Sequence, residues 1–207
     1  MSLARILLLF AALAATGVAV RATTVIPPDF NELAKGADYV VRGKVRSLTN
    51  VVRQYQGRDV PHTLVAVQVS EVIAGTPPAE VVLDVLGGQS SDGRLMRIAG
   101  VPPLNVGDEH IFFVSGNGTN FYPLYAVMHG LYPVKRDKTT GREYVARANG
   151  VPLSATAEVG LPLAEGKMAQ LLRQQIKSSD ALTPAEFRQS IRAARGEREQ
   201  GGSAHEK

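Results

Sequence analysis

The residues whose types could carry chemistry are four histidines, a serine-bearing glycine loop and three carboxylates beside apolar runs. His62, His110, His129 and His205 are separated by 48, 19 and 76 residues. A zinc site needs three or four ligands, commonly with two at a spacing such as H-x-H or H-x-x-x-H. A metal site here would therefore have to be assembled across strands, from His110, His129 and Asp108, and scattered histidines are more often structural. The stretch Gly87-Gly88-Gln89-Ser90-Ser91-Asp92-Gly93 sets Ser and Asp among glycines. A nucleophile elbow requires G-x-S-x-G between a strand and a helix, and no helix is predicted after this one, so it reads as a polar turn. Glu71, Asp84 and Glu109 sit on strands or at loop edges. A glycosidase pair would have to face one cleft; the ordinary alternative is a solvated outer face. No catalytic residues and no cofactor are assigned from these patterns.

Aromatics offer a binding chemistry instead. Phe112, Phe113, Phe121, Tyr122, Tyr125 and Tyr132 cluster in the second half of the chain. Strand alternation should turn some of Tyr122, Tyr125 and Tyr132 outward, and an exposed aromatic face suits sugars or peptides. Arg42 and Lys44, with Arg46, fall on the wet face of the clearest strand and would add attraction for an anionic or peptide partner. The candidate ligand-binding residues are thus Tyr122, Tyr125, Tyr132, Arg42 and Lys44. Core packing of the tyrosines and plain solvation of the bases are the competing states.

Elements that must position these groups can be read from periodicity. Asp29 to Lys35 predicts a short helix, with Asp29 as cap and Glu32 three residues on. From Ala37 to Leu48, Tyr39, Val41, Gly43 and Val45 alternate with Arg42, Lys44 and Arg46, the period of a half-buried strand. Gly43 in its middle suggests a bulge or tight bend. Thr49 to His62 reads as a polar loop, followed by strands over Thr63 to Ile73 and Glu80 to Leu86, then a weak one over Leu95 to Ile98. His110 to Ser115 lacks alternation, which predicts a central strand. Phe121 to Met128, Gly130 to Lys135 and Glu143 to Ala148 complete the set. Helices are predicted over Gly166 to Lys177, with Met168, Leu171, Leu172 and Ile176 on one side, and from Thr183, where Thr-Pro-Ala-Glu is a strong start signal. Short strands without βαβ alternation argue against a parallel nucleotide-binding sheet.

The chain's ends bear on compartment. Arg5 is the only charge before an apolar run from Ile6 to Ala15, and Val20-Arg21-Ala22 fits the small-x-small rule for signal cleavage. That run is about half the roughly 20 residues a membrane span needs. Export to a periplasm or beyond is expected, with no transmembrane segment in the mature chain. Cysteine is absent, which excludes disulfides and thiol chemistry. The formal charge of +4 falls to +2 without Arg5 and Arg21. No basic stripe interleaved with aromatics appears, so nucleic acid is not an expected partner.

Several pieces resemble a group of exported bacterial proteins of unassigned function. They are Ala37 to Val45, Val69-Ser70-Glu71-Val72-Ile73-Ala74-Gly75, Gly87-Gly88, Gly100 to Glu109, and Gly130-Leu131-Tyr132-Pro133-Val134. That group is similar to the OB-like barrel of netrin-type metalloproteinase-inhibitor modules. The resemblance implies a mainly β fold: an antiparallel OB-like barrel with a short N-terminal helix and a C-terminal helical appendage. Without cysteine, the inhibitors' N-terminal chelation of zinc cannot apply. The organisation expected is a signal peptide at 1–22, a β-barrel domain at 23–148, a linker with a possible helix at 149–182, a helix at 183–196 and a disordered tail at 197–207. The expected function is a non-enzymatic binding module for another exported protein, a peptide or a glycan. The alternative is an exported hydrolase or metal-assisted enzyme using His110 and His129.

Overall fold

A computed structural model of the chain describes residues 25–98 and 100–196. The signal segment, His205 and the tail expected at 197–207 lie outside these described residues. The elements are α1 (Phe30–Gly36), β1 (Tyr39–Tyr55), β2 (Arg58–Gly75), β3 (Val81–Leu86), β4 (Gly88–Gln89), β5 (Leu95–Met96), β6 (Glu109–Val114), β7 (Leu131–Arg136), β8 (Glu143–Val145), α2 (Gly166–Gln175) and α3 (Pro184–Arg195). The fold is mainly β. Six strands form one antiparallel sheet in the order β3-β2-β1-β6-β7-β8, and β4 pairs with β5 as a small separate ribbon. Among the described residues the two end strands, β3 and β8, are not paired with each other.

Burial on both faces explains the middle of this sheet. Ile111 and Phe113 of β6, with Val40 of β1, enter one apolar cluster beneath the helices. Phe112 and Val114, with Tyr39, Val41 and Val45, enter a second on the opposite face. A strand buried on both sides cannot alternate, and this is why His110 to Ser115 reads as a continuous apolar run. β3 is covered on one face only and alternates cleanly, with Val81, Leu83 and Val85 buried. Its outer edge is not bare. Asn117 accepts a bond from the Asp84 amide and donates to the Val82 carbonyl, and the Leu86 amide donates to Phe121 O.

Two predicted boundaries are corrected. Thr49 to His62 is not a loop: β1 and β2 run on as a paired ribbon to a two-residue turn at Gln56 and Gly57, whose φ angles of 49° and 73° suit a tight hairpin. Pro61 does not break it. Its carbonyl accepts from Gly87 N, so its missing N–H also lies on the side away from β1, where the ladder loses nothing. Phe121 to Met128 is not a strand. Only Leu124 bridges to Val114, because Pro123 removes a donor and Ala126 and Val127 take positive φ. Ladder irregularities in β1 fall between Val40 and Val41, Arg42 and Gly43, and Val45 and Ser47, bending both long strands.

The C-terminal segments are integral to the core. Residues 149–182 supply buried Leu153, Val159 and Ala181 rather than hanging as a spacer. In α2, however, only Ala169 is buried; Met168 and Leu171 stand exposed. α3 begins at a complete capping box between Thr183 and Glu186. Its Phe187 meets Tyr132, Phe30 and Phe113 at ring-centroid distances of 4.9, 5.8 and 6.0 Å. Arg188 pairs with Glu71 at 2.8 Å, and Arg195 donates to the carbonyls of Ala34 and Ala37 at 2.9 Å, serving the end of α1.

Truncating the hub, Phe187→Ala, should lower unfolding free energy by about 3–5 kcal/mol, read as a shift of the urea midpoint. Gly43→Ala should cost about 1–3 kcal/mol, because a Cβ there would lie 2.6 Å from Val67 Cγ1 and 2.7 Å from the Gln68 carbonyl oxygen. An unchanged midpoint in either variant would contradict the packing described.

Candidate functional site

Among the described residues the histidines are dispersed rather than gathered with the carboxylates in one cleft. His110 is only 4 % exposed, and its ring stands edge-on to Phe112 at 5.3 Å. Among the described residues neither ring nitrogen has a hydrogen-bond partner; Nε2 lies 4.0 Å from Asp108 Oδ2, beyond hydrogen-bond range. His129 is buried in the 3-10 turn Val127–Gly130. Among the described residues no three His, Asp or Glu side chains are grouped to hold a metal ion, so the set His110, His129 and Asp108 is not brought together as one. His62 is held instead by Asp84, Nδ1 to Oδ1 at 2.7 Å, and Arg53 takes the other Asp84 oxygen at 2.6 Å. Glu109 and Glu143 share Arg42 at 2.6 and 2.8 Å, and Glu71 takes Arg188. Each of the three suspected carboxylates is thus matched by its own arginine. Ser90 is turned into its own loop, bonding Asp92 and the Arg94 carbonyl.

Burial pushes the His110 pKa down to about 4, with Asp108 opposing and Lys135 reinforcing the shift. Burial also lowers His129, helped by the Arg147 charge. Both groups fold as neutral rings, so the unfolded chain binds more protons between pH 6.5 and 4. Stability should therefore be complete above pH 6.5 and fall toward pH 4, His110 alone contributing up to about 3 kcal/mol of the loss. His110→Leu should flatten that decline in unfolding titrations, leaving the part due to His129. An identical slope in the variant would refute this.

The tyrosine patch also dissolves. Tyr122 and Tyr132, each 3 % exposed, belong to opposite apolar clusters on the two faces of the sheet. Their rings extend the two cores that the double-sided sheet requires. Tyr125 is half-buried; its ring lies over Gly36 and its hydroxyl donates to Glu32 at 3.2 Å. Arg42 is engaged by two carboxylates rather than facing solvent. Lys44 remains exposed and lines a charged cleft of about 270 Å³ with Asp108, Glu109, Lys135, Arg136 and Glu143. Two of those groups, Arg136 and Glu143, already pair with each other at 2.7 Å, and the cleft carries charges of both signs.

A different feature has the character of a ligand seat. A groove of about 460 Å³ opens between the β1–β2–β3 face and the connection running from β5 to β6. Such a volume lies within the range of small-ligand sites, roughly 300–1,000 Å³, which are mostly apolar with a few fixed polar groups. Val65 and Val85 are its buried floor, and Leu48, Ile98, Pro103 and Leu104 form its walls. Leu95 and Met96 of β5 stand at the mouth, Leu95 60 % exposed. Gly87 and Gly88, at φ 108° and 131°, lead into β4 beside β5, where a side chain has no room: a Cβ on Gly88 would lie 2.6 Å from both Asn50 Oδ1 and Thr63 Oγ1. Tyr122 lines the groove with a buried hydroxyl that has no hydrogen-bond partner, and burial raises its pKa. Among the described residues Arg97 is the only charged one in the lining. The sequence did carry a signal: Leu95-Met96 is an apolar pair outside any strong strand, followed by the apolar, proline-rich run Val101-Pro102-Pro103-Leu104.

No family model matches the chain, and no curated protein matches it.

Proposed function

We propose that this chain is an exported, non-enzymatic binding module whose ligand seat is the groove beside β5. The observation that carries the reading is an apolar concavity with rigid strand-borne floor residues and large exposed apolar side chains at its rim. Isolated exposed apolar residues are common, but a contiguous apolar lining in a concave site is the usual form of a recognition surface. Export rests on the sequence of residues 1–22. The OB-like barrel belongs to the same proposal; its support is the bend of β1 and β2 at their bulges and the hydrogen bonds that bring residues 117–121 against the outer edge of β3. Such barrels place ligands against their strands and connecting loops.

A neutral apolar dye, N-phenylnaphthylamine, tests the groove directly. Its fluorescence should rise on binding to the purified mature protein with one site per chain. Leu48→Asp and Met96→Asp should each weaken binding by about tenfold or more, as expected for losing one apolar wall, while leaving thermal unfolding nearly unchanged at these rim positions. Equal binding in the variants, or none in the parent, would remove the groove from consideration.

A further inference from the structure

Cysteine is absent, so redox chemistry at sulfur falls to the chain's four methionines. Those among the described residues are Met96, Met128 and Met168. Met168 on α2 is 58 % exposed and Met96 on β5 is 38 % exposed. Met128 is half-buried in the 3-10 turn Val127–Gly130, its Cε 2.8 Å from where a Cβ on Gly100 would stand. Of the three, Met96 alone lines the groove. Pairing with Gly88 holds it there, beside Leu95 at the mouth.

Peroxides oxidise an accessible thioether to the sulfoxide, turning a flexible apolar side chain into a polar one. Because Met96 meets solvent, a sulfoxide oxygen on it stays hydrated while the groove is open to water. A ligand lying on the apolar lining strips that water away. The walls Leu48, Ile98 and Leu104 have apolar side chains that offer no hydrogen bond in return, and a polar group buried without a new partner is penalised. The penalty falls on the bound state only, so it appears as lost affinity.

Resting on the reading of the groove as a ligand seat, we infer that Met96 is a peroxide-sensitive modification site whose oxidation releases the ligand. A lone pair of the Met96 sulfur attacks one oxygen of hydrogen peroxide, the O–O bond breaks and an S=O bond forms. The proton on the transferred oxygen passes to the departing hydroxide, which leaves as water. Sulfur gives up two electrons and the peroxide takes them. Methionine sulfoxide reductases reverse the change, so the site can be reset.

The purified mature protein is treated with hydrogen peroxide, desalted and titrated with N-phenylnaphthylamine, and the sulfoxides are located by peptide mass spectrometry. Met96 and Met168 should convert ahead of Met128. Dye affinity of the parent should fall about tenfold, with the thermal midpoint near its untreated value. Met168→Leu should show the same fall. Met96→Leu, compared with its own untreated form, should show none. Sulfoxide reductases for both epimers should restore the parent. Met96 left unmodified while Met168 converts, unchanged affinity once Met96 is converted, or a fall that persists in Met96→Leu overturns the inference. So does a collapse of the thermal transition that accompanies the lost binding. In each of these cases the untreated parent still binds dye and the groove survives as a ligand seat; an untreated parent that binds no dye ends both.

Discussion

Double-sided burial of β1 and β6 is the constraint on which the rest depends. Once Val40, Ile111 and Phe113 face one way and Tyr39, Val41, Phe112 and Val114 the other, two apolar surfaces need cover. On one side α1, α3 and the stretch around Leu153 and Val159 provide it. On the other the sheet covers itself, as β2 and β3 bend round and Tyr122 and Leu124 close in. The groove lies at the rim of that second core, above the buried valines Val65 and Val85. Groove and core share residues: Val65, Val85 and Tyr122 belong to both.

With no disulfides, the C-terminal half is fastened largely by arginines donating to backbone carbonyls. Arg142 reaches Ser178 O and Ala181 O, Arg147 reaches Leu161 O and Pro162 O, and Arg192 reaches Ile73 O. Arg173 and Arg195 act alike on Asn149 O and the end of α1. Guanidinium suits this role, because it stays charged when partly buried and spreads several donors in a fork. Much of the chain's basic surplus is thereby turned inward, which is why a high isoelectric point coexists with mixed-sign clefts rather than a basic stripe.

How much was legible follows from which forces act locally. The N-cap at Asp29, the capping box at Thr183 and the central character of β6 are encoded within a few residues, and they appear as read; the alternation expected of β1 holds only from Val41 to Arg46, since Tyr39, Val40 and Val41 are all buried. Gly43 announced its bulge because only a missing side chain permits that approach. Other features are set by partners distant in sequence. Gln56-Gly57 was a hairpin turn inside what looked like a loop, since its flanks are short of apolar residues and are ordered by cross-strand pairing. Tyr122 and Tyr132 lie on opposite faces, a fact fixed by the break in pairing at Pro123 and Ala126. Arg42 looked solvated because Glu109 and Glu143, its partners, are 67 and 101 residues away. The groove escaped notice for the same reason: its lining comes from five separate stretches, around residues 48, 63–65, 85–88, 95–105 and 122.

The paired arm of β1 and β2 runs on beyond the core, with unpaired main-chain groups along its flanks. Such a ribbon invites another copy to lie alongside it. Here the flanks carry Arg53, Arg58 and Asp59, together with Pro61, whose ring occupies the place of a donor. The charges blunt these flanks against edge-to-edge pairing, so the longest ribbon of the sheet carries its own guard against fibre-like stacking.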